Sequence, residues 1–192
     1  MRDKAESRHI EMYKEMFKFL KAPDYFSIAG LILALISIFQ SFKGNLAMAA
    51  LFIYLSTVAD FFDGNIARKI MREGSFGRIL DSLCDVVLYL MAMAIFGYFS
   101  GLQSPVAIIV FVLFIVAGII RLARFTIMGT VNNCYVGLPV SYTLIIPIVY
   151  FFFAHFKVNA GYLLLFYFVP AFLMISSIKV KNFSPNFWFI EK

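Results

Sequence analysis

Charge is scarce in this chain. Only 15% of its 192 residues are Asp, Glu, Lys or Arg, against about 25% in an ordinary soluble domain. Histidine occurs twice and tryptophan once. The two cysteines, Cys84 and Cys134, offer neither a disulfide framework nor a metal-ligand spacing. Internal repeats and low-complexity tracts are missing, and no long polar stretch comes after residue 23. These shortages exclude a water-soluble globule, a disordered chain and a basic nucleic-acid module, despite a net charge of +6. The chain is instead filled with apolar residues: 62% are hydrophobic and the mean hydropathy is +0.86. Such a composition belongs to a polytopic helical membrane protein.

Apolar runs succeed one another at about residues 25–42, 45–68, 78–99, 104–123, 137–155 and 159–178. Each is long enough to cross a hydrocarbon core. Pro147 and Pro170 fall inside the fifth and sixth runs, where neighbouring helices tolerate kinks. The expected fold is therefore all-α, with six transmembrane helices in one membrane domain over residues 24–180. Before it, residues 1–23 place Ile10, Tyr13, Phe17 and Leu20 at helical spacing, with Lys14, Lys18 and Lys21 between them. That pattern suits an amphipathic interfacial helix on an anionic surface, or equally a solvated helix packed on the protein. Residues 181–192 form a short tail. Of the 17 basic residues, all but Lys43 and Lys157 fall on one side of this six-span layout. The positive-inside rule then puts both termini in the cytoplasm and the protein in the cell membrane.

Acidic residues are scarcer still inside the runs. Asp60 and Asp63 stand near the end of the second, Asp81 and Asp85 near the start of the third. Spacings of three and four put each pair on one helix face, and a short loop makes the two helices antiparallel neighbours. Four carboxylates at one depth need compensating charge. Two divalent cations of Mg or Mn type would supply it through all-oxygen ligation. Gly64 and Gly77 each cost about 1 kcal/mol against alanine in a helix interior, so something approaches the backbone there. Tight helix packing alone would also use them. Arg68, with Arg72 and Arg78 nearby, suits phosphate oxygens.

Taken together, Asp60-Phe-Phe-Asp63-Gly64-Asn-Ile-Ala67-Arg68, eight further residues, and Gly77-Arg-Ile-Leu-Asp81-Ser-Leu-Cys-Asp85 make a signature. It resembles that of the CDP-alcohol phosphotransferases at eight fixed positions over 26 residues. The resemblance implies a membrane transferase in which an alcohol displaces CMP from a CDP-linked lipid. It further implies that Asp60, Asp63, Asp81 and Asp85 hold two metal ions, and that Asp85 also takes the proton from the attacking hydroxyl. Asp60, Gly64, Ala67, Arg68 and Gly77 would line the CDP-lipid site. A homodimer is implied as well.

Outside the signature, the chain is similar to phosphatidylserine and archaetidylserine synthases. The similarity lies in Pro23-Asp24-Tyr25, Arg121-Leu-Ala-Arg124-Phe125, Gly137-Leu-Pro139 and Met174-Ile-Ser-Ser. It points to L-serine as acceptor and CDP-diacylglycerol, or its archaeal ether analogue, as donor. Glycerol 3-phosphate and inositol phosphate are the alternative acceptors. Many such synthases carry a Ser-Phe-Gly stretch after the last aspartate, whereas here Asp85 is followed by Val86-Val-Leu-Tyr-Leu. Arg121 and Arg124 suit an acceptor carboxylate or phosphate; topology charges are the plainer reading. Asn132, Asn133 and Tyr135 stand in the adjoining loop. An ion-coupled transporter is the competing class, since carboxylates inside membranes mark ion paths. Against it, the runs after Asp85 contain no acid to continue such a path.

Overall fold

The computed structural model describes residues 22–69, 75–128 and 134–181. The expected N-terminal amphipathic helix, Asn132, Asn133 and the tail after residue 181 lie outside them. Among the described residues seven α-helices carry the fold: α1 (Ala22–Phe42), α2 (Leu46–Lys69), α3 (Ser75–Asp85), α4 (Ala92–Phe99), α5 (Pro105–Met128), α6 (Ile145–His155) and α7 (Leu165–Ile175). A π-helical turn, Val86–Met91, joins α3 to α4, so the two make one apolar rod from Phe76 to Phe99. The segments Asp24–Phe42, Phe76–Phe99 and Pro105–Ile127 are long and apolar enough to cross a membrane. Shorter apolar helices cover Leu46–Phe62, Val140–His155 and Ala160–Ile175.

Helices α1 and α2 form a hairpin. Its turn places Gly44 at φ +72°, and Gly44 N–H donates to the Ser41 carbonyl at 2.9 Å. Asn45 opens α2, its side-chain oxygen accepting from Met48 N–H at 3.4 Å. Along α1, Gly30, Ala34, Ser37 and Ser41 form a stripe of small residues at helical spacing. The last three are fully buried. Small residues let the backbones close, and the serines then bond across the seam. Ser37 Oγ donates to the Ala49 carbonyl at 2.9 Å, and Ser56 Oγ to the Gly30 carbonyl at 2.6 Å.

The other seam is aromatic. Tyr167 of α7 is fully buried and donates its hydroxyl to the Met93 carbonyl of α4 at 2.7 Å. Phe111 and Phe114 of α5 meet its ring edge-on, with centroids 4.9 and 5.4 Å away. Gly97 makes the space, because a Cβ there would lie 2.5 Å from the Tyr167 hydroxyl oxygen. Likewise a Cβ on Gly118 of α5 would collide with the Leu90 side chain.

The fifth and sixth runs begin alike. A 3-10 turn, Val140–Leu144 or Ala160–Leu164, leads into each 11-residue helix. Pro147 therefore stands in the first turn of α6, where its missing N–H costs nothing. Only Pro170 sits inside its helix, α7.

One feature departs from an all-helical reading. Strand β1 (Cys134–Val136) pairs antiparallel with β2 (Lys179–Lys181), with Tyr135 opposite Val180. Gly137, at φ +83°, turns the chain out of β1, and its N–H donates to the Ile178 carbonyl at 2.8 Å. Three-residue strands leave no period-two pattern to read in a sequence.

Large apolar side chains cover the outside, among them Ile32, Leu35 and Phe39 of α1 and Ile109, Val112 and Val116 of α5. A surface of that extent is untenable in water and ordinary in lipid. The two kinds of apolar position should respond differently to substitution. In detergent-purified protein, Gly118→Val is expected to lower stability by about 1–3 kcal/mol through overpacking on Leu90. Ile109→Ala on the outer surface should leave the thermal unfolding midpoint nearly unchanged.

Candidate active site

Two helices deliver the carboxylates. Asp60 projects from the second half of α2, and Asp81 and Asp85 come from successive turns of α3. Oxygens of the three lie within 4.8 Å of one another, each side chain half-buried. Carboxylates this close repel, and a dense set of hard oxygen donors is the chemistry that Mg or Mn binding requires. The three residues thus fit a divalent-metal site. Asp63 lies one turn further along α2, on the same face of the helix as Asp60. Its side chain, and those of Gly64, Ala67 and Arg68, lie outside the described residues, although their backbone continues α2 to Lys69.

Directly after Asp85 the helix widens into the π turn Val86–Met91. Such a turn inserts one residue into the hydrogen-bonded ring and so re-aims the side chains beyond it; π turns are frequent at functional sites. Here it sets Tyr89, 2% exposed, against α2. The Tyr89 hydroxyl donates to Asp60 Oδ2 at 2.9 Å. Thr143 of the 3-10 turn supports the same segment, its hydroxyl shared between the Val140 carbonyl at 2.7 Å and the Tyr89 carbonyl at 3.3 Å. Sequence reasoning did not single out Tyr89. Its signal is its spacing, four residues after Asp85, which an α-helix places one turn along the same face.

Close approach at Gly77 also has a visible cause. A Cβ there would stand 3.0 Å from Asp24 Oδ1. Asp24, in the first turn of α1, is 5% exposed, and an acid suits the positive end of a helix. Gly77 precedes Asp81 by one turn, so a further carboxylate stands beside the aspartate-bearing helix. Sequence reasoning noted Pro23-Asp24-Tyr25 as a likeness and missed this contact, which joins residues far apart in the chain.

Helix α5 packs along α3 at this end, where Ser82 Oγ and Thr126 Oγ1 are 2.8 Å apart. This brings both arginines to the same end of the bundle, in different settings. Arg121 is 5% exposed, with its guanidinium carbon 5.2 Å from the Phe125 ring centroid. Arg124 turns toward the ribbon. Its Nη2 donates to the carbonyls of Val136 at 2.6 Å, Met174 at 3.1 Å and Ser176 at 3.5 Å. Gly137 belongs to this clamp, since a Cβ there would collide with the Met174 carbonyl and lie 2.6 Å from Arg124 Nη2.

Residues 20–181 match the CDP-alcohol phosphatidyltransferase family. The chain is 31% identical over 171 residues to archaetidylserine synthase of Methanothermobacter thermautotrophicus, covering 86% of this chain and 72% of that protein. It is 29% identical over 166 residues to CDP-diacylglycerol--serine O-phosphatidyltransferase of Bacillus subtilis, covering 85% and 92%. A shorter stretch of 61 residues is 38% identical to CDP-diacylglycerol--glycerol-3-phosphate 3-phosphatidyltransferase of Cereibacter sphaeroides, covering 30% and 28%. The chain belongs to the CDP-alcohol phosphatidyltransferase family, as a transferase similar to the CDP-diacylglycerol--serine O-phosphatidyltransferases.

Proposed function

We propose that the protein is a divalent-metal-dependent phosphatidyltransferase that joins L-serine to the phosphatidyl group of a CDP-linked lipid and releases CMP. The observation that carries this reading is the meeting of Asp60, Asp81 and Asp85 on the two helices that bear the family signature. The serine acceptor is supported by likeness to serine-using synthases along most of the chain. Glycerol 3-phosphate is the alternative, supported by the shorter match.

In this reading, Asp60, Asp63, Asp81 and Asp85 hold two Mg or Mn ions. Ions held there would supply positive charge against the pyrophosphate oxygens. The remaining roles fall to the chain's own residues. Gly64 lets the diphosphate approach the helix backbone, and Arg68 pairs with its oxygens. The serine hydroxyl attacks the lipid-side phosphorus; the bond from that phosphorus to the CMP oxygen breaks, and CMP leaves with the electron pair. Asp85 accepts the hydroxyl proton. Arg121 holds the serine carboxylate. Arg124, whose Nη2 bonds the carbonyls of Val136 in β1, Met174 in α7 and Ser176, holds those segments together at that end of the bundle.

The same reading sets six membrane spans, with α3 and α4 sharing the third. Their connections at 43–45, 100–104 and 156–159 face outward, and the active site and both termini face the cytoplasm. All but Lys43 and Lys157 of the basic residues then lie inside. Acyl chains stay in the bilayer while the headgroup chemistry runs at its inner edge. A homodimer in the cell membrane completes the proposal.

Metal dependence is tested first. Chelation should abolish CMP release and Mg or Mn should restore it, while Asp85→Asn should cost about 10²–10⁴-fold in kcat, as loss of a general base does. Full turnover by chelated protein would overturn the metal reading. The acceptor is decided by supplying CDP-diacylglycerol or its ether analogue with serine, glycerol 3-phosphate or inositol phosphate in turn. CMP release with serine is expected. Arg121→Ala should then raise the KM for serine about 10-fold or more with kcat little changed, since an anchor present in both ground and transition states gives uniform binding. Arg124→Ala should instead lower the thermal unfolding midpoint. Productive use of a phosphorylated alcohol alone would displace serine and leave the transferase standing. Topology is read by adding cysteines to a Cys84→Ala, Cys134→Ala background. An impermeant maleimide should label Gln103→Cys in intact cells and not Glu73→Cys, and the reverse pattern would invert the orientation.

A further inference from the structure

Among the groups around the carboxylate cluster, the Tyr89 hydroxyl has no part in the transfer chemistry. We propose that Tyr89 is a positioning residue for the metal site, holding the Asp60 carboxylate in its ligating orientation through the phenol hydroxyl. This inference rests on the metal reading of the same site.

The geometry is a chain of fixed points. Tyr89 is 2% exposed, and its neighbours Leu88 and Leu90 are also buried, so packing leaves the ring little freedom. Its backbone is held in the π turn, with the Thr143 hydroxyl against its carbonyl. From that fixed frame the phenol donates to Asp60 Oδ2 at 2.9 Å. An ionised carboxylate offers about four lone-pair sites. One bond from Tyr89 therefore fixes the rotation of the group and leaves most of its sites for a cation. The remaining partners stand at the right range, since oxygens of Asp60, Asp81 and Asp85 lie within 4.8 Å of one another. A carboxylate free to rotate would lose ordering entropy each time a metal bound; one already held would not. The π turn matters for the same reason. In an unbroken α-helix Tyr89 would come four residues after Asp85 on the same face, whereas the wider turn re-aims it. A buried phenol also needs an acceptor for its own sake. That alone would make Asp60 a partner for Tyr89 without making Tyr89 matter to the metal, and the experiment separates the two.

The full chain, purified in detergent, is titrated with Mn²⁺ and free ion is followed by electron paramagnetic resonance. Tyr89→Phe keeps the ring and removes the hydroxyl. Loss of a hydrogen bond that orients a metal ligand typically costs about 10–100-fold in metal affinity, and a loss in that range is expected. Turnover should recover toward the wild-type kcat at saturating Mn²⁺, with the KM for the acceptor unchanged. Equal Mn²⁺ affinity in Tyr89→Phe and wild type would overturn the proposal while leaving the metal reading intact. Absence of Mn²⁺ binding by the wild type would overturn both. Should Tyr89→Phe fail to fold, 3-fluorotyrosine at position 89 preserves the phenol and reports by ¹⁹F resonance. That signal is expected to move on Mg²⁺ titration with the midpoint of metal-dependent turnover. A signal indifferent to saturating Mg²⁺ would overturn the assignment.

Discussion

Placing carboxylates together within an otherwise apolar bundle is the constraint on which the remaining structure depends. Asp60, Asp81 and Asp85 repel one another at the distances observed, and their half-buried setting screens them less than bulk water would. Their helices must therefore be held together by forces located elsewhere. The α1–α2 hairpin provides part of this through its small-residue seam and the Ser37 and Ser56 bonds. The Ser82–Thr126 contact ties α3 to α5 one residue from Asp81. With the scaffold fixed in these ways, a cation that enters the cluster gains its full attraction without having to assemble the site.

Lipid tails are as apolar as leucine, so burial alone does not drive these helices together. The seams rely on fit. Gly97 receives the Tyr167 hydroxyl, Gly118 lies beneath Leu90, and Gly137 admits the Met174 carbonyl beside Arg124. Each glycine marks a place where another group reaches toward the backbone. Polar side chains at these seams mostly bond main-chain carbonyls, as Tyr54 does at the Leu144 carbonyl, 3.0 Å away. Bonds of that kind fix helix register without leaving a polar group in hydrocarbon.

Periodicity explains how much could be read from the sequence. Helical spacings made the meeting of Asp60 with Asp81 and Asp85 legible once two antiparallel neighbours were assumed, while the Asp63 side chain lies outside the described residues. The apolar runs likewise foretold the helices. Contacts between residues distant in sequence were not legible. Asp24 meets Gly77, Arg124 reaches Met174, and Tyr89 reaches Asp60. Arg121 and Arg124, spaced three apart, read naturally as one anion-binding pair. The ribbon that separates their surroundings consists of two three-residue strands, and nothing in the composition announces it.

Acceptor choice obeys a different logic from donor chemistry. Every CDP-linked reaction of this kind presents the same diphosphate and the same leaving group, so in the proposed reading the α2 residues that meet them see nothing that separates serine from glycerol 3-phosphate. Discrimination must come from groups that see the acceptor's own charge, through differential binding. On the described structure, the end of α5 supplies cationic side chains beside α3, and Arg124 there is engaged with main-chain carbonyls. In the proposed reading, that preference falls to the buried Arg121, lodged against Phe125. A single carboxylate is matched by one guanidinium, whereas a phosphate dianion gains from a second cation. In the proposed reading, where Arg121 meets the acceptor and Arg124 braces its neighbours, a single guanidinium suits an acceptor carboxylate such as that of serine.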